Sequence, residues 1–176
     1  MKIFINPGHG GTDPGAVSKK GTREAEIAKK ISEILVNRLK LNGYPVVEYQ
    51  QKQSYYEVSK EENKSGATLF ISIHCNAAAS GTAKGVEVLY NKYSIKGGRL
   101  ADIMQKQLVK DTGLKDRGVK AREDLHVLNR TKAPAILIET AFITNPTEEK
   151  LLINKPELFA NSIWEAIKIY NKEGLL

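Results

Sequence analysis

Apolar residues in this chain follow two rhythms: short unbroken runs, and longer stretches in which they recur every three or four positions. Ile3-Phe4-Ile5 is the first run, stopped by Asn6-Pro7-Gly8 and followed by a glycine-rich loop through Gly15. From Thr22 to about Leu41 the residues Ile27, Ile31, Ile34, Leu35 and Leu39 fall at helical spacing, with Asn42-Gly43 as the stop, which predicts a long amphipathic helix. Val46 to Tyr49 reads as a strand, and the polar stretch from Ser54 to Gly66 as a weaker helix. Thr68-Leu69-Phe70-Ile71-Ser72-Ile73 is the clearest strand, β-branched and aromatic, leading directly into His74-Cys75-Asn76. Gly85 to Tyr90 resumes as strand before a helix from about Ile95 to Thr112. The stretch after Gly113 reads as irregular and basic, Leu125 to Leu128 as a short strand, and Ala135-Ile136-Leu137-Ile138 as a strand ending on Glu139. Asn145-Pro146-Thr147-Glu148 opens a helix, and a last one runs from about Glu157 to Tyr170.

Strands and helices alternate throughout, so the expected fold class is α/β. A length of 176 residues suits one domain over 1–176, and no repeat, low-complexity stretch or Pro/Gly/Ser linker marks a boundary. Hydrophobic residues at 41% and charged residues at 27% are ordinary for a globular protein and exclude a disordered or fibrous one. A formal charge of +7 favours anionic partners, whether nucleic acid, acidic lipid or an anionic polymer. Lys and Arg are scattered, with only local clusters such as Lys115 to Arg122, and no nucleic-acid motif is visible, so nucleic acid is not expected. Cys75 is the only cysteine, which rules out an intramolecular disulfide. The opening Met1-Lys2-Ile3-Phe4-Ile5 is too short an apolar run to read as a signal peptide or membrane span.

Sites in open α/β sheets form at the carboxyl ends of strands, where this reading puts His9, His74 and Glu139. Glu24 opens the first long helix on the far side of the glycine loop from His9, so the loop can fold both toward one point. Two histidines and one carboxylate make a catalytic zinc set with a fourth position for water, and Glu139 would then be the general base. Glu26 shares the helix's first turn with Glu24, where the macrodipole favours either acid. His126 is the remaining histidine and could complete a three-histidine site, although lining the cleft is the simpler role. Cys75 abuts His74, but adjacent strand residues point to opposite faces, which argues against a Cys/His pair.

These residues resemble the zinc-dependent N-acetylmuramoyl-L-alanine amidases of the type 3 class, over nearly the whole chain. Ile5-Asn6-Pro7-Gly8-His9-Gly10-Gly11-Thr12-Asp13-Pro14-Gly15-Ala16 is similar to that family's first zinc motif, and Gly21-Thr22-Arg23-Glu24 to its second. Ser72-Ile73-His74-Cys75-Asn76-Ala77 resembles the third, in which alanine usually follows the histidine. Pro134 to Glu139, continuing through Phe142-Ile143-Thr144-Asn145, looks like the strand that carries the catalytic glutamate. The resemblance implies one zinc ion held by His9, Glu24 and His74, with Glu139 as the catalytic carboxylate and Glu26 outside the site. Asn76 and His126 are expected to contact substrate. It also implies a twisted, mainly parallel sheet with helices on both faces.

The implied reaction hydrolyses the amide between the lactyl group of N-acetylmuramic acid and L-alanine in peptidoglycan. Anionic cell-wall polymer is a further expected partner, and a monomer is the favoured state. Action at the bacterial cell wall is expected, either as part of a longer exported protein or after release by lysis, since no export segment or wall-binding repeat is seen. Gln50-Gln51-Lys52-Gln53 and Lys60 depart from a region where members often carry arginines. The competing readings are another zinc peptidoglycan hydrolase, either peptidase or deacetylase, and a non-catalytic wall-binding or regulatory module.

Overall fold

A computed structural model describes residues 1–174; Leu175 and Leu176, the end of the expected domain, lie outside the described residues. The elements in chain order are β1 (Ile3–Pro7), α1 (Glu24–Leu41), β2 (Val46–Glu48), α2 (Tyr56–Ser65), β3 (Leu69–Asn76) and β4 (Val86–Asn91). There follow α3 (Ile95–Thr112), β5 (Asp116–Arg122), α4 (His126–Asn129), β6 (Ala135–Phe142), α5 (Pro146–Asn154) and α6 (Pro156–Lys172). The strands form one six-stranded sheet in the order β2-β1-β3-β6-β4-β5. β2, β1, β3 and β6 run parallel, whereas β4 is antiparallel to β6 and carries β5 parallel to itself. The expected α/β class, with a mainly parallel sheet and helices on both faces, is what the chain adopts.

Strand side chains alternate between faces, and the alternation builds two unequal layers. Ile3, Ile5, Ile71, Ile73, Ile136 and Ile138 face a thick layer with Ile31 and Leu35 of α1, Leu100 and Met104 of α3, and Ile163 and Ile167 of α6. Phe4, Phe70 and Leu137 face the other way, under Val58 of α2 and Leu128 of α4. This second cover is thin, because α2 has 10 residues and α4 only 4. Toward the carboxyl ends of β1 and β3 the same face carries Asn6, Ser72 and His74 in place of phenylalanine, and it is there that a site opens.

Three local expectations are corrected. The stretch after Gly113, read as irregular, contains β5. Its sequence is charged at Asp116, Arg117, Lys120 and Arg122 and shows no apolar rhythm, because it is an edge strand ordered by pairing with β4. Leu125 to Leu128, read as a strand, is the helical turn α4 with its preceding residue; the run is too short for its period to decide. β3 and β6 also extend further than the apolar runs, so His74 and Glu139 lie within strands, paired in register across them. Among the described residues no helix is long and apolar enough to cross a membrane.

Candidate metal centre and cleft

The loop after β1 delivers His9 in a left-handed backbone conformation (φ 59°) that side chains rarely adopt. Its neighbours make that approach feasible. A Cβ on Gly8 would collide with the His74 ring, and one on Gly15 would sit 2.6 Å from Cδ2 of His9 and 2.7 Å from Oε2 of Glu24. Glu24, the first residue of α1, is clamped by reciprocal bonds with Ala16: its amide donates to the Ala16 carbonyl, and its Oε2 accepts from the Ala16 amide at 2.9 Å. Glu149 of α5 holds the intervening loop by accepting from the hydroxyls of Ser18 and Thr22.

Glu24 Oε1 is the point of convergence. Nε2 of His9 lies 3.1 Å away, Nδ1 of His74 lies 2.9 Å away, and the amide of Cys75 donates to the same oxygen at 3.0 Å. The far side of each ring is also engaged. Nδ1 of His9 meets Oδ2 of Asp13 at 2.8 Å, so that nitrogen donates to Asp13 and Nε2, facing Glu24, is left to take a second proton or a cation. For His74 the assignment passes through two neighbours. Asn6 donates its amide to the carbonyls of Pro7 and Tyr49, which turns its Oδ1 toward Ser72, whose hydroxyl donates to it at 2.7 Å. Having given its proton to Asn6, Ser72 can only accept from Nε2–H of His74, at 3.1 Å. Nδ1 is then the nitrogen that faces Glu24.

Two imidazole nitrogens and a carboxylate aimed at one point fit a cation. Donor atoms of His9, Glu24 and His74 lie within 4.8 Å of one another, their type suits zinc, and a carboxylate or hydroxyl orients each ring from behind. Glu26, exposed and paired with Arg23, lies apart from the cluster. Without a metal, protons serve. Burial pulls the His9 pKa down, but Glu24 and then Asp13 outweigh it and raise it to about 9. Burial likewise works against the charge of Glu24, yet His74 and His9 hold its carboxyl well below the usual carboxylate range.

Glu139 is the register partner of His74 on one side and of Glu87 on the other. Its Oε2 is buried with no hydrogen-bond partner among the described residues. Burial pushes its pKa up to about 7, His74 opposes, and the charges of Glu24 and Glu87 add to the rise. Glu87 is itself satisfied by Nε of Arg117 and by the side-chain amide of Asn76. Asn76 is thus tied to Glu87, and its Oδ1 accepts from the amide of Ala77. Cys75 points to the opposite, thick layer, and burial raises its thiol pKa well above the ordinary value, which leaves no thiolate nucleophile.

A cleft of about 260 Å³ opens over His9 and His74, with Asn6, Tyr55, His126 and Leu137 in its walls. His126 therefore lines the cleft outside the three-residue cluster, with Nε2 2.9 Å from the hydroxyl of Ser59. A larger groove of about 900 Å³ runs past Thr68, Tyr93 and Pro134, at the amino-terminal ends of β3 and β6, away from the cluster. Gln51 of the anomalous glutamine stretch donates to Asp13, so it supports His9 from behind. Asp13, Asn6 and Tyr55 were not singled out from sequence. Ser72 left a readable signal, as a polar residue two positions before His74 on the same strand face.

A family profile described as N-acetylmuramoyl-L-alanine amidase matches residues 3–169. The chain is 36% identical over 155 residues to N-acetylmuramoyl-L-alanine amidase LytC of Bacillus subtilis (strain 168), covering 85% of this chain and 31% of that protein. It is 31% identical over 172 residues to the probable cell wall amidase LytH of Staphylococcus aureus, covering 96% of this chain and 57% of that one. The chain thus spans well under two thirds of the length of these curated relatives. The crystal structure of N-acetylmuramoyl-L-alanine amidase from Clostridium difficile 630 superposes with a TM-score of 0.89 at 30% identity, covering 97% of this chain and 96% of that one.

Proposed function

The chain belongs to the N-acetylmuramoyl-L-alanine amidase family, and from that premise we propose that it is a zinc-dependent hydrolase of the bond between the muramoyl lactyl group and L-alanine in bacterial peptidoglycan. The observation that carries the reading is the convergence of two imidazole nitrogens on one oxygen of Glu24, beside a second carboxylate whose Oε2 has no partner among the described residues. In this reading His9, Glu24 and His74 hold one zinc ion. Zinc bound there supplies Lewis-acid polarisation of the scissile carbonyl and lets water ionise near neutral pH.

Glu139 takes the proton of the attacking water. The same proton passes to the alanine nitrogen as the C–N bond breaks, so the carboxylate ends the cycle as it began. Asp13 and Ser72 fix the rings, and Val127 and Leu137 form an apolar wall of the cleft beside them, where charge interactions are less screened. Peptidoglycan as substrate, action at the bacterial cell wall and a monomeric state belong to the same proposal, as does anionic wall polymer meeting the basic surface.

The test is digestion of purified peptidoglycan by the zinc-loaded protein, with the new ends identified by mass spectrometry. Stem peptides with free amino-terminal alanine are expected. New ends inside the peptide, released acetate or new reducing sugar ends would each assign a different hydrolase. Dialysis against a chelator should abolish release and zinc should restore it; wall binding with no metal-dependent release would instead describe a non-catalytic module.

A further inference from the structure

Beyond His126 the cleft continues into a furrow between α2 and α4 that none of the roles above uses. Tyr55 and Tyr56 are 46% and 58% exposed, although large aromatic rings ordinarily seek cover. They stack on each other at 4.5 Å, and the His126 ring stands edge-on to both, at 5.4 and 4.5 Å. Ser59 fixes His126 from below. Tyr55 and His126 line the cleft over the candidate metal site, while Tyr56 and His126 line the furrow, so the two spaces share a wall.

The furrow is cationic. Lys60, Lys64, Arg130 and Lys132 line it. Lys64 is paired with Glu61, but Lys60, Arg130 and Lys132 enter no ion pair among the described residues. Among the arginines, Arg23, Arg99, Arg117 and Arg122 find carboxylates, whereas Arg130 in the furrow finds none among the described residues. Tyr56, Lys60 and Lys64 recur at helical spacing and present one row with a step of about 6 Å. An extended peptide repeats its side chains on one side every ~7 Å, so the row matches alternate residues of a short peptide. Neutral sugar would leave three cations unanswered; a peptide bearing carboxylates answers them and can lay its backbone along the tyrosine rings.

We propose that the furrow of Tyr56, Lys60, Arg130 and Lys132 is the subsite for the leaving stem peptide, which it recognises by the peptide's free carboxylates. The proposal rests on the amidase reading above. It makes the furrow a determinant of KM, since a contact made equally in ground and transition states leaves kcat alone.

The test compares N-acetylmuramoyl-L-alanyl-D-glutamate with its carboxyls free and with both amidated. For the wild-type protein the free form should show the lower KM, by about tenfold, and Lys60→Ala/Arg130→Ala/Lys132→Ala should erase the difference while leaving kcat unchanged. Lys40→Ala, on α1 about 24 Å from Glu24, is the charge control and should preserve it. Equal KM values in the wild type, or a triple variant that loses both substrates equally, would overturn the proposal. Binding of the dipeptide L-alanyl-D-glutamate, read from Tyr56 and His126 resonances in the zinc-free protein, judges the furrow without turnover. Hydrolysis of neither substrate counts against the amidase function, and selective binding of the free over the amidated dipeptide would still uphold the subsite. Equal binding of the two dipeptides, or displacement of both by inorganic polyphosphate as the tighter ligand, would overturn it in favour of no ligand or a phosphate polymer.

Discussion

Two of the three histidines share one carboxylate, and the third has none within ion-pair reach among the described residues. His9 and His74 meet at Glu24 with Asp13 behind, and the His9 pKa rises to about 9. His126 stands edge-on to two stacked tyrosine rings with a hydroxyl as its partner, and burial followed by the Arg130 charge lowers its pKa. One residue type thus serves opposite ends of one cleft: at the first end histidines converge on a carboxylate in a set suited to a cation, whereas cations surround the second. Zinc content breaks or sharpens this contrast most sharply. After extensive dialysis His9→Ala should lose its zinc and His126→Ala should keep it; zinc lost from the second and held by the first would reverse the assignment.

Glu139 belongs to the first end without being part of the cluster. Glu139→Gln should keep zinc while turnover falls by about two to four orders of magnitude. Near-normal turnover would remove Glu139 from the mechanism. Stability offers an independent view of the same group. In the metal-free protein burial raises its pKa from 4.5 to about 7. The folded state therefore holds this proton more tightly than the unfolded one, so stability fully present below pH 4.5 is lost as pH rises through about 7. The loss is on the order of 3 kcal/mol. Gln cannot ionise, so metal-free Glu139→Gln should exceed the metal-free wild type by that amount in urea unfolding at pH 8 and match it at pH 4. A difference that does not change with pH would mean that the carboxyl pays no burial cost.

The two ends also differed in how legible they were. β1, β3 and β6 announced themselves as apolar runs, and α1, α3 and α6 by their period, because each buries against the thick layer. The thin layer and the sheet's far edge left weaker traces. α4 is one turn whose apolar residues had no room to display a period, and β5 is an edge strand whose pairing with β4 is invisible in its own residues. The site divided the same way. His9, Glu24, His74 and Glu139 stand out because such groups are costly to bury without a purpose. Tyr55, Tyr56, Lys60 and Arg130 are individually ordinary surface residues, brought together only by the packing of α2 against α4.

Ser72 sits between these cases, and its substitution is the finest test of the first end. Ser72→Ala removes the only acceptor that the network offers to Nε2–H of His74, so nothing then holds the proton on that nitrogen. With zinc on Nδ1 the proton of the ring must sit on Nε2, where without Ser72 it would lack its acceptor, so the metal-bound form becomes costlier. Zinc affinity should fall by about 10- to 100-fold, smaller than the loss on removing a ligand. The substitution also leaves Oδ1 of Asn6 without its donor in a buried position, so some stability goes with it whether or not metal is present. The imidazole nitrogen shifts of His74 separate the two effects. In the zinc-loaded protein the Nε2 shift should change on substitution as its hydrogen bond is lost, and an unchanged shift with weaker zinc would assign Ser72 to packing alone.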